Sequence, residues 1–244
     1  MGTTTIAALR SAKGVTYAGG LVRFSASTSG VEFDDLRRLI AHARPQVLVD
    51  FTHFPASKDI ALAAIDAGVR PVIGTSGYGA PDIEALRAAC SRTGVGCVFA
   101  PNFAIGAVLM MKFSAEAARH FHHVEIVEMH EAGKKDAPSG TAMATARRLA
   151  SERAAAKLAP FGRAPTALVR ADGARGAEMD GIGVHSLRLP GVVPHQEVAF
   201  GGDGETLRIA HDSASRASFM AGVLIAVRAA RDLKDFVDGL ERLL

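Results

Sequence analysis

Three short apolar runs, at residues 47–49, 71–73 and 96–100, alternate with segments whose apolar residues recur at helical spacing. The helical segments are 34–42, with Leu36, Leu39 and Ile40 on one face, then 60–67 and 82–90. A strand that is apolar from end to end is buried on both faces, and a chain that alternates such strands with helices solves its burial problem as a parallel sheet with helices on either side. The expectation is therefore an α/β chain built on a doubly wound parallel sheet. Open sheets of this kind bind ligands beyond the carboxyl ends of their strands. In this sequence those ends carry Asp50, the turn Gly74-Thr75-Ser76-Gly77 and Pro101-Asn102-Phe103.

The beginning of the chain departs from that pattern. Residues 3–11 read as a helix and 15–22 as a strand, so the chain starts at a helix where a dinucleotide fold needs a strand first. The expectation is a Rossmann-like sheet lacking its first strand; either Met1 is an internal methionine of a longer natural chain, or the chain has diverged from the dinucleotide pattern. A strand in the position of 15–22 commonly ends in an acid that holds the ribose hydroxyls of NAD. Here Val22 is followed by Arg23, which suits a 2′-phosphate and tilts the expected cofactor, NADPH or NADH, toward NADPH.

Beyond residue 106 the periodicity changes. A longer helix at 106–119 leads to strand patterns at 124–129, 185–189, 196–201 and 206–211, and Gly201-Gly202-Asp203-Gly204 reads as a hairpin turn. Residues 154–175, rich in Ala, Pro, Gly and Arg, read as a long surface connection. The result is a second, α+β domain with a mixed sheet. The tail 217–244 reads as helical, with Val223, Leu224, Val227, Phe236, Val237 and Leu240 apolar.

The chemistry concentrates between residues 124 and 150. His130 ends the strand 124–129, Lys134 and Lys135 follow, and Ser139-Gly140-Thr141 forms an N-cap and helix start. Backbone N–H groups at a helix start, with the Ser139 and Thr141 hydroxyls, make a site for a carboxylate or phosphate. An imidazole, an ammonium and an anion cradle together suit an acidic small molecule that gains or loses a proton. The plain alternative is a solvated basic loop before an ordinary capped helix.

The run His130 to Ala142, of the form His-x-x-x-Lys-x-Asp-Ala-Pro-Ser-Gly-Thr-Ala, resembles the signature of dihydrodipicolinate reductase, an NAD(P)H-dependent family of the diaminopimelate route to lysine. Val-Asp-Phe-Thr at 49–52, Gly-Thr-Ser-Gly at 74–77, Ala-Pro-Asn-Phe at 100–103 and Ser215-Arg216 match that family in order. The resemblance implies catalytic roles for His130 and Lys134. It implies substrate carboxylate binding by Gly140 and Thr141, with Arg216 added on closure, and cofactor contacts from Gly2, Arg23, Gly74, Thr75, Ser76, Ala100, Pro101, Asn102 and Phe103. It further implies that 216–244 returns to a dinucleotide domain made with 1–102 and that 103–215 binds substrate and assembles a homotetramer; the spacing of histidines and cysteines predicts no metal site. One position departs from the family: Glu131 stands where a second histidine is usual, beside the expected dicarboxylate. A paralogue acting on another cyclic imine acid, and a catalytically silent metabolite-binding protein, are the competing readings. A zinc hydrolase is excluded because His130 has no second histidine at metal-binding helix spacing.

Composition is consistent with this. The 244 residues are 48% hydrophobic, enough for a sizeable core, and the net charge of +3 is too small and too scattered for a nucleic-acid surface. No apolar run is long enough to span a membrane, and the first ten residues lack the form of a secretory signal, so a cytoplasmic protein is expected. Cys90 and Cys97 read as reduced packing residues. Of the family's phosphate loop only Met1-Gly2 is present, so the 244-residue chain is expected to bind NAD(P)H weakly, because that loop's N–H groups carry much of the pyrophosphate binding. Calorimetric titration giving a low-micromolar dissociation constant would overturn this expectation.

Overall fold

The structure, a computed structural model, describes residues 1–22 and 32–244. In chain order its elements are α1 (Gly2–Ser11), β1 (Gly20–Leu21), β2 (Glu32–Phe33), α2 (Leu36–Ala43), β3 (Val47–Asp50), α3 (Ala56–Asp66), β4 (Arg70–Ile73), α4 (Ala80–Thr93) and β5 (Cys97–Phe99). There follow α5 (Ile105–Ala117), β6 (His123–His130), α6 (Gly140–Ala155), β7 (Ala177–Met179), β8 (Ile182–Arg188), β9 (His195–Gly202), β10 (Glu205–Asp212), α7 (Met220–Ala230) and β11 (Phe236–Asp238). The chain divides into one unit of Met1–Phe103 with Phe219–Leu244 and another of Ala104–Ser218. Phe103 therefore falls in the first unit and Arg216 in the second, where the sequence had suggested the reverse for each.

In the first unit β11, β5, β4 and β3 form a parallel sheet in that order, with Asp50 in register with Ile73 and Ile73 with Phe99. The central runs are fully buried at Pro71, Val72 and Ile73 and at Cys97 and Val98, as continuous apolar strands require. Ile65 of α3 and Leu86 of α4 pack against Ile73 and Phe99, and both cysteines lie free and buried in that cluster. Asp35 caps α2 by accepting the Arg38 N–H at 2.8 Å, and Gly94 ends α4 at φ 68, a left-handed conformation that favours glycine.

Two strand expectations need correction. Among the described residues only Gly20–Leu21 of the expected strand 15–22 is paired as a strand, with β2, in a separate two-stranded parallel sheet, and the Val22 N–H donates to the Phe33 carbonyl beyond it. A strand exists by virtue of a neighbour to bond, and residues 15–19 face a cavity of about 840 Å³ instead. The same cavity runs along β3, and Val47, Leu48 and Val49 are accordingly only half-buried. The second correction concerns the tail, which is not helical throughout. Phe236–Asp238 is a parallel edge strand on β5, and Gly239 at φ 91 turns the chain out of it. A three-residue strand is too short to show a period, although Phe-Val is a dipeptide that favours strands.

The second unit is a five-stranded mixed sheet in the order β10-β9-β6-β8-β7, with β6 and β8 parallel and the other pairs antiparallel. The β9–β10 hairpin turns at Asp203-Gly204 as expected. Its core lies on one face, where Val124 and Ile126 of β6, Val184 of β8 and Val198 and Phe200 of β9 meet Ala142, Ala146 and Leu149 of α6 and the C-terminal end of α5. β7, within a region with no clear strand period, was not foreseen. No helix among the described residues is long and apolar enough to cross a membrane.

Candidate active site

Strand parity determines what β6 presents. Val124 and Ile126 point into the core, Glu128 follows on the same face, and His130 is the next position of that parity. Glu128 thus sits where the apolar core ends beneath the start of α6, and its side chain is 0% exposed. Its Oε2 lies 2.6 Å from His130 Nδ1 and accepts from Arg188 Nη1 at 3.0 Å, while Oε1 accepts from Arg188 Nη2 at 2.7 Å and from the Ser139 N–H at 3.2 Å. Burial pushes the Glu128 carboxyl up, but hydrogen bonds from Arg188, Ser186 and His130 outweigh it and hold the group below the usual carboxylate range. The Arg188 guanidinium is held above its ordinary value by its bonds to Glu128. Register explains the reach: on β8, Ser186 stands opposite Glu128 and Arg188 opposite His130. Glu128 and Arg188 were not singled out in the sequence. Counting by twos from Val124 places Glu128 on the core face, and that signal was available.

The loop after β6 returns to the same point. Arg188 Nη2 also donates to the Asp136 carbonyl at 2.7 Å, and Lys134 Nζ donates to Asp136 Oδ1 at 2.7 Å. The Lys134 bond holds the Asp136 carboxyl below its ordinary value. Ser139 caps α6 as the sequence predicts, its Oγ accepting the Ala142 N–H at 3.2 Å. Gly140 and Thr141 are the first two residues of that helix. Gly140 is exposed, with open space where a Cβ would stand. The structure therefore gathers His130, Lys134, Gly140 and Thr141 around one loop in one unit. Glu131 is exposed on that loop, and Arg216 is exposed at the start of a short 3₁₀ helix in the same unit.

The positions proposed for the nucleotide stand in the first unit. Gly74 follows β4 at the carboxyl edge of the sheet, where a Cβ would collide with the Phe51 ring and fall 2.9 Å from the Phe103 ring. Phe103 is buried, its ring edge-on to Phe51 at 5.6 Å, so its side chain packs the unit. Thr75 turns inward as well, its Oγ1 donating to Asp50 Oδ2 and to the Thr52 carbonyl, each at 3.2 Å. Ala100 is buried, while Ser76 and Pro101 are exposed and Asn102 half-buried. Gly2 opens α1 with nothing within 4 Å of a Cβ position. Arg23 lies outside the described residues. A glycine-opened helix and exposed loops beyond the carboxyl ends of β4 and β5 fit a dinucleotide, whose backbone-recognised parts need N–H groups and close approach more than particular side chains.

A parallel nucleotide-type unit joined to a mixed-sheet unit that presents an imidazole beside a helix N-terminus defines the class of two-unit, dinucleotide-dependent oxidoreductases. Residues 1–103 match the family description "Dihydrodipicolinate reductase, N-terminus" and residues 106–244 match "Dihydrodipicolinate reductase, C-terminus". The chain belongs to the dihydrodipicolinate reductase family. It is 46% identical over 220 residues to the 4-hydroxy-tetrahydrodipicolinate reductase of Bacillus velezensis, covering 90% of this chain and 81% of that protein. The Moorella thermoacetica 4-hydroxy-tetrahydrodipicolinate reductase is 49% identical over 211 residues, 86% of this chain and 77% of its own. Among solved structures, the dipicolinate-bound dihydrodipicolinate reductase from Paenisporosarcina sp. TG-14 superposes with a TM-score of 0.88 at 36% identity, covering 100% of this chain and 95% of that one. An amine dehydrogenase from Mycobacterium smegmatis shares the fold, with a TM-score of 0.67 at 13% identity over 98% of this chain and 92% of its own.

Proposed function

We propose that this chain reduces 4-hydroxy-tetrahydrodipicolinate to tetrahydrodipicolinate with NADH or NADPH. The observation that carries the proposal is the clamped imidazole of His130 standing at the same loop as Lys134 and the start of α6. When bound, the nicotinamide supplies a hydride; the remaining needs are a proton, a place for the carboxylates and control of water. An ionised Glu128 can only accept, so His130 Nδ1 carries a hydrogen and Nε2 is the atom that exchanges a proton with the substrate. The Gly140 and Thr141 N–H groups hold one carboxylate through the helix terminus. The Lys134 ammonium, with three donors of which Asp136 takes one, reaches the other and helps offset its charge. Arg216 adds a further cation, and Gly2, Gly74, Thr75, Ser76, Ala100, Pro101, Asn102 and Phe103 form the nucleotide side. The protein acts in the cytoplasm, and the family resemblance implies a homotetramer assembled through the second unit. The test is loss of NAD(P)H absorbance in the presence of freshly generated substrate; no loss above background at saturating cofactor would defeat the proposal.

Glu131 favours a second reading, a related reductase of a different cyclic imine acid. If the substrate is the dicarboxylate, Glu131→His removes a repulsive charge at an exposed position and lowers KM by up to about fivefold, equivalent to about 1 kcal/mol, with a smaller gain at high salt. Steady-state kinetics at two ionic strengths measure this. Abolished activity on the natural substrate would instead mean that Glu131 recognises something other than a carboxylate.

A further inference from the structure

We propose that Glu128 is a positioning residue for the proton step, orienting His130 through Nδ1 and anchoring the start of α6 with the same carboxylate. This rests on the reading of His130 as the proton donor and assigns a role to a residue that does not itself meet the substrate. A carboxylate with no exposure is expensive to bury and persists only where its oxygens are filled by donors. Glu128 meets that condition with donors from three elements: His130 at the end of β6, Arg188 of β8 and the N-cap Ser139 of α6. The arrangement has two consequences. First, with an obligate acceptor at 2.6 Å the neutral imidazole is confined to its Nδ1–H tautomer and cannot flip, so that the proton is always lost from Nε2. Second, the oxygen that takes the Ser139 N–H fixes the helix start relative to that ring, so the proton source and the carboxylate cradle share one anchor. Arg188 binds the carboxylate through both guanidinium arms and holds the Asp136 carbonyl, which keeps Glu128 ionised and the loop closed behind it.

A purely architectural ion pair would make a different prediction. In the full chain, with cofactor at saturation, Glu128→Gln is expected to lower kcat about 30-fold or more, the scale seen when the partner that fixes a catalytic histidine is neutralised, with the KM for NADPH unchanged. Added to His130→Gln, the same change is expected to slow turnover by less than about threefold further, since residues acting as a unit are strongly non-additive. Nitrogen NMR of the His130 ring is expected to show one tautomer, protonated at Nδ1, in the parent and a mixture in Glu128→Gln. Multiplicative losses in the double variant, or an unchanged ring spectrum in Glu128→Gln, would each overturn the proposal. Should Glu128→Gln not fold, Glu128→Gln combined with Arg188→Gln removes the buried carboxylate and its partly exposed counter-charge together, and the ring spectrum is read on that protein with the same two outcomes. If His130→Gln alone leaves turnover intact, the assignment of the proton donor fails, while the ring spectrum still decides whether Glu128 orients the imidazole.

Discussion

Replacing His130 with glutamine is expected to lower turnover by about 10²-fold or more, the usual scale for loss of a general acid, while leaving the affinity for NADPH within about threefold. The amide that replaces the imidazole can still donate to Glu128, so the buried carboxylate keeps a partner and the variant folds; what it loses is a ring nitrogen that can hand a proton to the substrate. The cradle at Gly140 and Thr141 and the Lys134–Asp136 pair do not depend on the imidazole, which is why the loss falls on kcat and not on binding. Steady-state kinetics, with kcat and the substrate KM read separately, distinguish the two. Unchanged turnover would remove His130 from the mechanism, and a loss confined to KM would recast it as a binding residue.

The sequence disclosed most of what recurs with a period and little of what depends on a partner. β3, β4 and β5 are continuous apolar runs between amphipathic helices and were placed to within a residue or two at each end. The N-cap at Ser139 and the strand end at His130 carry local chemistry, and both stand where local rules put them. β1 failed for the opposite reason. Residues 15–22 have the composition of a strand, yet pairing is a property of the neighbour, and among the described residues only the end of that stretch, Gly20 to Val22, bonds to β2. β11 exists only because β5 offers an edge, and Phe236-Val237 carries too few residues to announce it.

The candidate site shows the same division. His130, Lys134, Gly140 and Thr141 lie within 12 residues and were legible as a motif. Arg188 lies 60 residues beyond Glu128, and only the parallel pairing of β6 with β8 brings them together. Glu128 was hidden by its type: a glutamate in an alternating strand reads as the solvent face, whereas its parity with Val124 and Ile126 puts it inside. Met129 takes the other face with Glu125 and Val127.

Arg153 is a second charged residue whose burial composition conceals, and its replacement carries the largest expected effect on stability. It sits near the end of α6 with 5% exposure, donates from Nε to the Ala159 carbonyl at 2.7 Å and from Nη1 to the Ala118 and Phe121 carbonyls at 2.8 and 2.7 Å, and lies over the Phe161 ring. One guanidinium thus closes the C-terminal end of α5, the connection to β6 and the exit from α6. Arg153→Met keeps much of the volume but strips the donor from the buried Ala118 carbonyl and from the part-buried Phe121 and Ala159 carbonyls, at about 1–3 kcal/mol for a buried acceptor left without one and less for the part-buried two. The expected loss is about 3 kcal/mol or more, which for a chain of this size lowers the melting temperature by about 6–12 °C. Arg153→Lys is expected to recover less than half of it, because a single ammonium on a flexible stem cannot span acceptors that a planar fork reaches together. Turnover per folded molecule should hold at low temperature, since Arg153 lies about 20 Å along α6 from Gly140, at about 1.5 Å per residue. Thermal melts followed by circular dichroism, with activity measured below the transition, test both parts. A shift under about 2 °C would mean that water replaces the lost donors and that the fork is dispensable.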